Sequence, residues 1–153
     1  MSDVAVSLPF LPPDEDLTGE AAEGIDGLRG LLERAVHVVL DDAEVEGAEL
    51  SLTLLDDSGI RDLNARYLDR NRPTDVIAFS LPGPEGQVVG DVYIGVQQAM
   101  RQAAEGGSLT EELVRLAVHG TLHVLGHDHP EGEDRLSSPM FQHQERLVRA
   151  AFS

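Results

Sequence analysis

The spacing of apolar residues changes several times along this chain, and each change marks an element. Ile25, Leu28, Leu31, Leu32, Ala35, Val36 and Val39 fall at helical intervals, predicting an amphipathic helix that runs to about Leu40. The stretch Ala48–Leu55 instead alternates apolar with polar residues until its end, as a strand with one buried face does. A short strand is expected around Val4–Ser7, and the proline-containing acidic stretch Leu11–Gly24 reads as a loop. Asp56, Asp57 and Ser58 offer N-caps for a helix over about Gly59–Leu68. Further strands are expected at Asp75–Ser80 and Val88–Ile94, joined by the Pro/Gly-rich segment Leu81–Gln87.

A helix over about Val96–Glu105 follows, and Ser108-Leu-Thr-Glu111 is a capping-box pattern opening another that runs to Gly126. That second helix has almost no polar face: beyond Glu112, nearly every residue except Arg115 and two histidines is apolar or small. A helix of that kind belongs inside the protein. After a loop at Pro130–Ser137, Ser138-Pro139 starts a terminal helix striped by Met140, Phe141, Leu147, Val148, Ala151 and Phe152. These elements predict one α+β domain over residues 1–153, a small mixed sheet with several helices around a buried central helix.

Within the central helix lies the candidate chemistry. His119 and His123 are four residues apart, so both imidazoles leave one helix face with Cβ atoms about 5–6 Å apart. Gly126 suits a left-handed helix end, letting the chain turn and present His129 from outside the helix. Cysteine is absent, so a metal here must be held by nitrogen and oxygen. Three neutral histidines with an open fourth position are the pattern of a catalytic zinc, one ion per chain, although other divalent transition metals fit the same donors. The spacing overlays the metzincin peptidase pattern H-E-x-x-H-x-x-G-x-x-H at all three histidines and the glycine. Position 120, where that pattern has its general base, is Gly120, so the scaffold is zincin-like and the chemistry differs. His37, alone in the first helix, has no assigned role.

Charge narrows the partners. The net charge is −17, and all 11 basic residues are arginine. Such a field repels polyanions except where arginines cluster, and an acidic, hydrated surface is also what adaptation to high salt produces. Arg66, Arg70 and Arg72 form a cluster before Pro73, which by itself reads as a solvated turn. No run approaches the roughly 18 apolar residues of a membrane span. The N-terminal segment carries an acid where a signal peptide carries bases, so a cytoplasmic protein is expected.

The stretch His119-Gly-Thr-Leu-His-Val-Leu-Gly-His-Asp-His129 resembles the H-G-x-L-H-L-x-G-Y-D-H signature of the bacterial YbeY endoribonucleases. Leu63-Asn64, Arg72-Pro-Thr-Asp-Val-Ile-Ala-Phe79 and Gly90-Asp-Val-Tyr-Ile94 extend that resemblance upstream in the same order. What it implies is a zinc-dependent endoribonuclease of single-stranded RNA, acting in 3′-end maturation of small-subunit ribosomal RNA and in ribosome quality control. Its partners would be ribosomal RNA, the small ribosomal subunit and assembly factors. His119, His123 and His129 would hold the metal. Asp128 matches the family pattern, and its position suits proton transfer, support of a metal ligand, or stabilisation of the loop. Two departures stand out: Leu68 follows Tyr67 where many members have arginine, and His127 replaces the signature tyrosine. Arg66, Arg70 or Arg72 would supply the missing charge at RNA. Two other readings are a ribosome-assembly binding factor with a structural metal site and, disfavoured by Gly120, a zincin-type peptidase.

Overall fold

Strict alternation does make a strand with one buried face. In the structure, a computed structural model that describes residues 2–10, 24–68, 74–81, 83–105, 107–126 and 139–153, strand β2 (Glu49–Leu55) buries Leu50, Leu52 and Leu54. It lies between β1 (Asp3–Ser7) and β4 (Val89–Gly95), parallel to both, and β3 (Val76–Ser80) closes the sheet antiparallel to β4. The order is therefore β1-β2-β4-β3, the small mixed sheet expected. Helix α1 (Gly24–Asp42) is the crossover that parallel pairing of β1 and β2 requires. Arg29 on α1 donates to the carbonyl of Val6 and ties the crossover to the edge strand.

Helix α2 (Asp57–Leu68) starts where the acids predicted, with the Asp56 carboxylate accepting from the Gly59 amide at 2.8 Å. It reaches Leu68, so Arg66 belongs to its last turn and not to the following loop. Tyr67 packs edge-on against Phe79, which packs in turn against Tyr93, with ring centroids 5.5 and 6.1 Å apart. On that same sheet face, opposite the buried leucines, Ser51 of β2 donates to Asp91 of β4 at 2.5 Å.

Helix α3 (Val96–Ala103) leads to α4 (Leu109–Val124), which packs on α1, α3, β3, β4 and α5 (Pro139–Ala151). Leu113, Val114, Ala117, Val118 and Thr121 are fully enclosed, as an all-round apolar pattern requires. The Ser108 hydroxyl accepts from the Glu111 amide at 3.1 Å, but the Glu111 carboxylate goes to Arg115 instead of back to residue 108. Only half of the expected capping box forms. Gly126 takes φ +95°, the left-handed end that its residue type suggested. On α5 the buried positions are Met140, Gln144, Leu147, Val148 and Ala151, whereas Phe152, expected in the stripe, is exposed beyond the helix end.

Gly120 sets how α4 meets the sheet. A Cβ there would stand 2.5 Å from Cγ1 of Val92 and 3.1 Å from Cγ2 of Val76, so the helix backbone rests directly on β3 and β4. A methyl at position 120 would force the two layers apart. Alanine for glycine inside a helix ordinarily gains roughly 0.5–1 kcal/mol. Here Gly120→Ala is expected to cost about 1–3 kcal/mol through overpacking, and Val92→Ala in the same chain should recover part of that loss. Urea denaturation of the two single variants and the double variant checks this; a Gly120→Ala protein as stable as the parent would show that the layers have room to spare.

Candidate functional site

One turn of α4 separates His119 from His123, and the structure converges their rings. The two Nε2 atoms lie 2.8 Å apart, with ring centroids 4.4 Å apart and planes crossing at 74°. Both side chains are half-buried, on a helix whose flanking residues Val118, Gly120, Leu122 and Val124 are buried. Two nitrogens this close share either a proton or an ion. A tetrahedral zinc with bonds of about 2.0–2.1 Å sets two ligand nitrogens roughly 3.3 Å apart, so a small spread of the rings admits a divalent ion between them. The donors are imidazoles throughout, which suits zinc and its transition-metal neighbours and not magnesium or calcium.

His129, Asp128 and His127 lie outside the described residues, as do Arg70 and Arg72. Among the described residues no group of three metal-binding side chains forms. What is brought together is the pair. Arg66 stands exposed in the last turn of α2, an element that packs on β2, β4 and α3.

Sequence reasoning missed Gln144. This α5 side chain is 4% exposed, and its Oε1 lies 2.6 Å from Nδ1 of His119, on the ring edge away from His123. A glutamine within an amphipathic stripe carries no sequence signal of that kind. Its position among buried Met140, Leu147 and Val148 is the one available hint, since a buried amide needs partners.

Next to it lies the main charge network of α4. Arg115 donates from Nε and Nη2 to the two oxygens of Glu145, both at 2.9 Å, and also to Glu111 at 2.8 Å and Glu112 at 3.3 Å. Those carboxylate bonds, Glu145 first, hold the Arg115 guanidinium well above its ordinary pKa against the cost of burial. Burial pushes the Glu145 carboxyl up, but hydrogen bonds from Arg115 and Gln144 together with the nearby cations outweigh it and leave Glu145 below the usual carboxylate range. Glu112 goes the other way: burial raises it, and Arg115 only partly offsets that.

The sequence profile of a family described as Endoribonuclease YbeY matches residues 19–151. A relative of that description from Desulfitobacterium hafniense is 44% identical over 137 residues, covering 80% of this chain and 84% of its own. Another, from Bacillus mycoides, is 36% identical over 159 residues and covers 96% and 97%. A solution structure of a Thermotoga maritima protein superimposes with a TM-score of 0.60 at 25% identity, over 97% of this chain and 89% of that one.

The carboxylate shifts make a pH prediction. Because Glu145 has its pKa lowered by folding, its contribution is present above the ordinary carboxylate pKa and is lost as pH falls through the lower folded value. Glu145→Gln should therefore cost about 1.5–3 kcal/mol near neutrality, the worth of hydrogen bonds to a charged group. The gap between variant and parent should shrink on acidification. Denaturant titrations at neutral and acid pH read it directly, and a gap that widens at low pH would contradict the assignment.

Proposed function

The chain belongs to the YbeY endoribonuclease family, and from that premise we propose that it is a metal-dependent endoribonuclease of single-stranded RNA, working in ribosomal RNA maturation and ribosome quality control. The observation that carries the reading is the convergence of His119 and His123 on one point beside a buried helix. His119, His123 and His129 would hold one zinc ion, which supplies Lewis acidity toward a phosphoryl oxygen and acidifies a bound water. The protein's own part is to keep two half-buried imidazoles aimed at one place, where charge stabilisation is stronger than in open water. Phosphodiester cleavage needs mainly stabilisation of charge on the phosphoryl oxygens plus an activated nucleophile. Asp128 is the carboxylate nearest to the ligands in sequence and is assigned the proton transfer. Arg66, Arg70 and Arg72 would neutralise RNA phosphates on an otherwise repelling surface.

The absence of any membrane-crossing helix among the described residues fits an RNA-processing enzyme of the cytoplasm. A peptidase would need a carboxylate at position 120 to take the proton from water and pass it to the leaving amine. Glycine there cannot do so.

Two outcomes are expected. His123→Ala should abolish stoichiometric zinc, measured by elemental analysis of gently purified protein, and should lower the rate of single-stranded RNA cleavage at least as much as chelation does, with casein untouched by either protein. Full metal content in that variant would sink the ligand assignment, and a metal-loaded parent that binds RNA without cutting it would leave the site structural and the protein a ribosome-binding factor. Neutralising Arg66, Arg70 and Arg72 together should weaken RNA binding and reduce the slope of log affinity against log salt by up to about two, roughly 0.7 for each single-strand phosphate that is no longer neutralised. An unchanged slope would make the cluster a solvated turn.

A further inference from the structure

The hydrogen-bond chain that ends on His119 has a direction, and the direction is set at its far end. Arg115 can only donate, and it commits Nε and Nη2 to the two oxygens of Glu145 at 2.9 Å. Glu145, ionised below the usual carboxylate range, can only accept. The neighbouring group, Gln144, must therefore turn its amide Nε2 toward Glu145, where it donates at 3.2 Å. That leaves Oε1 facing the imidazole at 2.6 Å from Nδ1 of His119. A carbonyl oxygen can only accept, so Nδ1 must carry the hydrogen. In the neutral ring the lone pair then lies on Nε2, the atom that faces His123.

We propose that Gln144 is a positioning residue, and that the Arg115–Glu145–Gln144 relay locks His119 in the Nδ1–H tautomer with its Nε2 lone pair presented to the metal. The proposal rests on the reading of His119 as a metal ligand. The relay also explains why a glutamine 4% exposed stands on an otherwise apolar stripe of α5. Both ends of its amide are used, one by a ligand histidine and one by a carboxylate that Arg115 holds in place. A partner on the outer nitrogen of a metal-bound imidazole fixes ring orientation and raises ligand basicity, and losing it typically weakens metal binding 10- to 100-fold.

The test uses two readouts. In chelated full-length protein, at a pH where imidazoles are neutral, long-range proton–nitrogen NMR should show His119 as the Nδ1–H tautomer, its signal identified by loss in His119→Asn. The Nε2–H form would overturn the proposal whatever any variant does. Zinc affinity measured against a competing chelator should fall about 10- to 100-fold in Gln144→Leu, which removes the acceptor while keeping the bulk. Unchanged zinc affinity in Gln144→Leu would overturn the proposal. If the parent protein itself fails to take up zinc, the metal reading falls, while the tautomer spectrum still decides whether the relay sets the ring.

Discussion

The closeness of α4 to the sheet is the constraint on which the rest of the structure depends. With no side chain at Gly120, and with Gly90 of β4 leaving room for Val124, whose methyls would lie 2.5 and 2.9 Å from a Cβ at residue 90, helix and sheet touch backbone to side chain. Once that face is pressed onto β3 and β4, α1 and α3 cover other sides, and the stripe bearing Glu112, Arg115, His119 and His123 is left to α5 and to solvent. His119 and His123 are both on that stripe, and Gln144 and Glu145 meet it from α5. The polar residues of α4 are few because only one strip of its surface can hold them without burying unpaired charge.

That strip also shows how a very acidic chain builds around a scarce cation. Arg115 gathers Glu111, Glu112 and Glu145 from two helices, and the result is an ordered network instead of a single exposed pair. Exposed ion pairs contribute little. Here the arginine is 24% exposed and bonded through Nε and Nη2 to both oxygens of Glu145, so its value lies in geometry: it fixes where those oxygens are, and they fix the Gln144 amide.

Much of this is legible in the sequence, for reasons that differ by residue. Local spacing reveals α4, its buried character and the pairing of His119 with His123, because a helix makes i and i+4 neighbours whatever surrounds it. The alternation of β2 and the left-handed helix end at Gly126 are likewise local. The strand order is not, since pairing of β2 with β4 across the β3 segment depends on residues 40 apart, such as Ser51 with Asp91. In sequence Arg115 is, with the two histidines, an exception to an apolar helix, and Gln144 an ordinary polar position. Their meaning comes from α5 docking on α4, with His119 and Gln144 25 residues apart. Arg66 lies inside the helix that local signals end at Leu68, and α2 does end there, with Tyr67 packed on Phe79.

Gly120 is where the two kinds of reading meet. From sequence it is a missing acid, the general base that a zincin peptidase keeps beside its first histidine. In the fold it is a contact surface, one residue along from His119 yet turned about 100° around the helix axis, onto Val92 and Val76. The two facts reinforce each other. A glutamate at this position would have to drive its Cβ into the sheet before its carboxylate could reach any site, so Gly120→Glu would report on packing and not on catalysis. A fold that needs glycine here for its layers has given up the peptidase base at that position.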